Sequence, residues 1–76
     1  MTKRIYITSE QARAARALLN WTLANAAKNT GVSAATLGRF EDGADIQHGT
    51  MMLITIAYQD AGIEFTEDGW IRLHKE

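Results

Sequence analysis

Residues 21–43 read WTLANAAKNTGVSAATLGRFEDG, and the order of caps and stops in this stretch decides the fold. Thr22 is a good N-cap for a helix whose Leu23, Ala26 and Ala27 pack inward, and Asn29, Thr30 and Gly31 end it. Gly31 supplies the left-handed backbone that a sharp turn needs. Val32 then tucks into the core, Ser33 caps the next helix, and Leu37 and Phe40 stand three apart on its inner side before Asp42-Gly43 closes it. The spacing predicts two short helices, over residues 22–30 and 33–42, joined by a tight turn.

Upstream, Thr8 with Gln11 three residues later has the form of a capping box, so a helix is expected over residues 8–20. Its Ala12, Ala15, Leu18 and Leu19 form an inward face of small and medium side chains. Before it, Ile5 and Ile7 alternate with Arg4 and Tyr6, which suits a short strand or an extended arm. Downstream, a polar loop runs through His48 and Gly49, Thr50 is the expected cap of a helix over residues 50–61, and Gly62 is its stop. Met51, Ile54, Tyr58 and Ala61 make its apolar stripe, which Met52, Leu53 and Ile56 widen beyond the needs of one small core. In the tail the period changes to two: Ile63 and Phe65 alternate with Glu64 and Thr66, Asp68-Gly69 marks a turn, and Trp70 to Leu73 is a second extended run. A β-hairpin over residues 63–73 is expected.

The fold class expected is therefore mainly α, a compact four-helix domain with a C-terminal β-hairpin and a possible short N-terminal strand, occupying residues 1–76. No repeat, low-complexity tract or proline divides the chain.

Composition narrows the function. A 76-residue chain buries only about 60% of its unfolded surface, which leaves little room for a large catalytic cleft. There is no cysteine, hence no disulfide and no thiolate metal site, and nothing has the form of a secretion signal. The apolar run from Met51 to Tyr58 falls far short of the roughly 20 residues that cross a bilayer, so a cytoplasmic protein with no membrane role is expected. His48 and His74 have no spacing to Asp, Glu or Ser that suggests a triad or a metal site, and neither an enzyme nor a cofactor or small-molecule ligand is indicated. Glu67 and Asp68 beside Gly69 are turn chemistry.

The net charge is −1 but unevenly spread. Up to Gly43, six bases (Lys3, Arg4, Arg13, Arg16, Lys28, Arg39) outweigh three acids (Glu10, Glu41, Asp42), giving +3. From Ala44 on, two bases (Arg72, Lys75) face six acids (Asp45, Asp60, Glu64, Glu67, Asp68, Glu76), giving −4. The basic half carries the two-helix motif, as a nucleic-acid binder would arrange it.

Residues 16–22 (RALLNWT), Ala27, Gly31-Val32-Ser33, Thr36-Leu37, Glu41-x-Gly43 and the closing Ala61-Gly62-Ile63-Glu64-Phe65, in this order and at these intervals, resemble the lambda-repressor and Cro type of helix-turn-helix, the XRE family. The resemblance covers Thr8 to Ala61, and its closing phrase is similar to short single-domain bacterial and phage regulators. It implies a recognition helix from Ser33 to Asp42, with Ala34, Ala35, Thr36 and Arg39 toward the major groove of double-stranded DNA. Arg39 is the expected base reader, its guanidinium matching guanine O6 and N7, against the alternative of a solvated helix charge. Ala34 and Ala35 either pack on thymine methyls or serve only as helix formers; Ser33 is a cap that can also meet phosphate. The resemblance also implies a structural ion pair between Arg16 on the first helix and Glu41 at the end of the third.

Two departures from the family pattern stand out. Leu23, counted with the DNA-binding positions, stands where many members carry a DNA-bracing glutamine, and the loop Ala44 to His48 has an acid and no Lys or Arg. Backbone contacts then fall to Thr22, Asn25, Lys28, Arg13 and the Lys3-Arg4 arm. Gly38, in mid-helix, either admits a phosphate or is simply tolerated.

Two functions follow as expectations. The first is a sequence-specific regulator, a repressor binding an inverted repeat as a homodimer, with Met52, Ile56, Phe65, Trp70, Ile71 and Leu73 as candidate dimer contacts; intrachain packing of the hairpin on the fourth helix is the alternative for these side chains. The second is a protein-interaction module, such as an antitoxin or regulatory subunit, favoured by Leu23 and the acidic loop.

Overall fold

A computed structural model of the chain describes residues 6–74. Four helices, α1 (Ser9–Leu18), α2 (Leu23–Thr30), α3 (Ala34–Glu41) and α4 (His48–Asp60), precede two short strands, β1 (Ile63–Phe65) and β2 (Ile71–Leu73). The strands pair antiparallel, with Ile63 opposite Leu73 and Phe65 opposite Ile71.

Local chemistry sets most of the boundaries. Thr8 accepts from the Gln11 amide while the Gln11 side chain accepts from the Thr8 amide, so the expected capping box starts α1. A second box, unexpected, starts α2: Thr22 and Asn25 exchange the same two bonds. Ser33 caps α3 by accepting from the Thr36 amide. Caps of this kind are typically worth about 1 kcal/mol each. Gly31 ends α2 at φ 77°, the left-handed conformation that lets the chain turn sharply into α3.

Two boundaries and one inward face differ from expectation. Thr50 does not cap α4; the helix begins two residues earlier at His48, and its N-cap Gln47 makes no side-chain capping bond. Ile46, packed against the core, fixes the entry to this helix instead. Leu18, assigned to the inner face of α1, is 47% exposed, because the helix ends there and the left-handed Asn20 (φ 58°) turns the chain toward Trp21. Tyr6 to Thr8 have no regular secondary structure, and Arg4 and Ile5, the rest of the expected strand, lie outside the described residues.

The core is built from every element: Ile7 before α1, Ala12 and Ala15, Ala26, Val32 at the turn, Leu37 and Phe40, Ile54 and Tyr58, Ile63 and Ile71. Removing Ile7, Leu37 and Ile54 from water stabilises the fold by roughly 1.5–3 kcal/mol apiece. Buried alanines on α1 (Ala12, Ala15) and α2 (Ala26) let α3 pack against both helices. Buried polar groups are tied across the chain: Thr55 Oγ1 accepts from the Ile7 amide at 3.1 Å and donates to the Met51 carbonyl at 2.8 Å. Gln11 Nε2 donates to the Gly69 carbonyl at 3.0 Å, linking α1 to the hairpin turn.

Candidate nucleic-acid interface

The α2–turn–α3 unit is held from behind by charge. Arg16 on α1 donates through Nε to Glu41 Oε2 at 2.8 Å, through Nη2 to Glu41 Oε1 at 2.9 Å, and through Nη1 to the Trp21 carbonyl at 3.1 Å. One guanidinium thus joins α1, the α1–α2 turn and the end of α3, and a two-point pair fixes orientation as well as distance. The Glu41 side chain is 6% exposed and that of Arg16 24%. Hydrogen bonding to Glu41 raises the Arg16 pKa above its ordinary value, so the charge is permanent. Tyr58 of α4 stacks on Trp21 with ring centroids 5.5 Å apart, and its hydroxyl is buried without a hydrogen-bond partner among the described residues. Burial first, and then the Glu41 charge, push the Tyr58 pKa up to about 12.

With Leu37, Phe40 and Glu41 buried, the other side of α3 carries the expected readers. Ala35 and Arg39 are exposed, and Ala34 and Thr36 half-buried. Three polar side chains run along this side in a chain of hydrogen bonds: Ser33 Oγ donates to Thr36 Oγ1 at 2.9 Å, and Arg39 Nη2 donates to the same oxygen at 3.3 Å. Thr36 accepts twice and keeps its own hydroxyl hydrogen, and Arg39 keeps four of its five N–H donors. Arg39 has no ion-pair partner among the described residues. The arrangement offers donors in a fixed order to an acceptor-rich surface.

Thr22, Asn25 and Lys28 are exposed on α2. The first two are engaged in capping, which leaves the Asn25 side-chain Nδ2 and the Thr22 hydroxyl hydrogen for other partners. Leu23 is half-buried and packs on the core; its Cδ1 lies 3.7 Å from where a Cβ on Gly38 would stand. Gly38 therefore faces α2, not a phosphate, and Leu23 braces α3 by apolar contact. Arg13 is exposed on α1, and the Lys3-Arg4 arm lies outside the described residues.

Sequence reasoning missed a recess of about 480 Å³ beside the open side of α3, lined by Thr36, Arg39, Asp45, Ile46, Gln47 and Thr50. Its signal was weak, because α3 and the first turn of α4 meet there only through the loop between them.

The candidate dimer contacts divide. Ile71 is 5% exposed, a core residue of its own chain and not a surface contact; Phe65 and Leu73 are half-buried against the same core. Met52 is also half-buried. Ile56 at 47% and Trp70 at 46% are open, as are Leu53 and Leu18. Leu53 and Ile56 stand three apart on α4 and share a face. Leu18 and Trp70 edge a separate apolar groove of about 660 Å³ between α1 and β2.

The two histidines stand apart, in different surroundings. The His48 ring lies against Tyr6 with centroids 4.6 Å apart, and His74 Nδ1 is 2.9 Å from Glu64 Oε2, which also accepts from Arg72 through Oε1. Among the described residues no group of three His, Asp or Glu is placed to hold a metal ion, and no helix is long and apolar enough to cross a membrane. No protein-family model matches the chain, and no curated protein matches it.

Proposed function

We propose that this chain is a non-catalytic, sequence-specific binder of double-stranded DNA, a cytoplasmic transcriptional repressor of the lambda-repressor and Cro type that inserts α3 into the major groove. The observation that carries the reading is the Ser33–Thr36–Arg39 chain on the open side of α3, with the opposite side locked by Leu37, Phe40 and the Glu41–Arg16 pair. Arg39 reads guanine through O6 and N7, Ala35 leaves room for close approach, and Thr22, Asn25 and Lys28 supply backbone contacts. One short helix offers a small reading surface, so two copies act together on half-sites about 34 Å apart. The exposed Leu53–Ile56 face of α4 joins them.

Selection of bound duplexes from a random pool tests this reading. An inverted repeat with a guanine that vanishes in Arg39→Ala is expected, with a loss of about 1–3 kcal/mol on the wild-type site and a steep fall of affinity with salt. No enriched sequence at low salt, or an unchanged preference in Arg39→Ala, overturns it.

The apolar groove between α1 and β2 favours a second reading, a protein-interaction module that binds a partner through Leu18 and Trp70. That reading predicts no salt-dependent DNA binding.

A further inference from the structure

The recess beside Arg39 contains a carboxylate that a DNA-binding surface would ordinarily avoid. Asp45 is exposed in the α3–α4 loop, forms no ion pair with a described residue, and lines the same recess as Thr36 and Arg39. Ile46, half-buried against the core, pins the loop and so holds Asp45 at this position.

A carboxylate only accepts hydrogen bonds, and phosphate oxygens only accept, so Asp45 repels the DNA backbone wherever α3 approaches it. On the floor of the major groove the chemistry reverses, because cytosine N4 and adenine N6 present N–H donors there. The guanidinium of Arg39 and the carboxylate of Asp45 are thus complementary to different atoms of one groove: guanine O6 and N7 for the first, an exocyclic amino group for the second. Arg39 alone is attracted to phosphates as well as to guanine, whereas Asp45 is repelled by every phosphate and so binds only where a base amino group is within reach.

We propose that Asp45 is a specificity-determining residue, accepting from the exocyclic amino group of a cytosine or adenine adjacent to the guanine read by Arg39 and weakening binding to DNA that lacks it. The inference rests on the DNA-binding reading above and adds a second reader of opposite charge. It accounts for an acid in the loop that directly follows the proposed recognition helix.

The test is random-pool selection with the full chain in four forms: wild type, Asp45→Ala, Asp45→Asn and Arg39→Ala, each checked by thermal melting. The wild type is expected to enrich cytosine or adenine next to a guanine, and the enriched base identifies which amino group is bound. Asp45→Ala loses that preference by about tenfold while keeping the guanine, and binds random duplex several times more tightly. Asp45→Asn, which keeps an acceptor but not the charge, gains the same non-specific affinity and retains part of the preference. If Asp45→Ala leaves the flanking preference intact while Arg39→Ala loses the guanine, the role of Asp45 is overturned and DNA reading stands. If the wild type enriches nothing, both fall together.

Discussion

Arg16 and Glu41, 25 positions apart, meet in a two-point ion pair at 2.8 and 2.9 Å whose remaining guanidinium nitrogen holds the Trp21 carbonyl. The pair sets how far α3 stands from α1, and with it the pose of the open side of α3. Breaking a buried pair by removing one partner costs about 3–5 kcal/mol, and because Arg16 keeps some solvent contact the lower end applies. Arg16→Met and Glu41→Gln are each expected to lose about 3 kcal/mol in urea unfolding. Arg16→Met with Glu41→Leu should recover most of that loss. A double variant no more stable than the singles would refute the account.

Gly38 sits inside α3 in ordinary helical conformation, and a Cβ there would touch only Leu23 Cδ1, at 3.7 Å. That is a van der Waals contact, not a clash. Gly38→Ala is therefore expected to stabilise the protein by about 0.5–1 kcal/mol by restricting the unfolded chain. DNA affinity should not change, since the position faces α2. A lower melting temperature would show that α2 and α3 are too close for a methyl group.

Tyr58, 1% exposed, places in the core a hydroxyl that has no hydrogen-bond partner among the described residues. Tyr58→Phe keeps the stacking on Trp21 and removes the unsatisfied group, so it should raise stability at neutral pH by about 1 kcal/mol. The pH dependence follows from the raised pKa. Between about 10, the ordinary value, and about 12, the unfolded chain ionises at Tyr58 while the folded one does not, so stability present below pH 10 is lost as pH rises toward 12. Wild type should lose more stability across this window than Tyr58→Phe. Parallel alkaline unfolding curves would contradict it.

Leu53 and Ile56, 52% and 47% exposed on one face of α4, are the proposed contact between copies. Leu53→Ser with Ile56→Ser should sediment as a folded monomer and lose the two-half-site mode of binding, whereas Trp70→Ala should remain a dimer. A dimer that survives the double change moves the interface to the α1–β2 groove.

The helices α1, α2 and α3, the turn at Gly31 and the hairpin were legible in the sequence because their causes lie within a few residues. Thr8, Thr22 and Ser33 cap by bonding to amides three positions on, and alternation from Ile63 to Phe65 needs no distant partner. The core positions Leu37, Phe40, Ile54 and Tyr58 follow from periodicity for the same reason. Thr50 illustrates the limit: it is a good capping residue by type, yet the start of α4 lies at His48, where Ile46 anchors the loop to the core.

What the sequence by itself determined is therefore the four helices, the hairpin and most of their inner positions, Leu18 excepted, since propensity, capping and periodicity act locally. Only the tertiary structure decided that Thr55 takes the Ile7 amide 48 residues away, that Leu23 fills the space beside Gly38, and that Ile71 belongs to the core while Ile56 does not. It alone brought Asp45 to the recess beside Arg39. Such relationships depend on how finished elements pack, and packing is set by the shapes of side chains far apart in the chain, which no local pattern encodes.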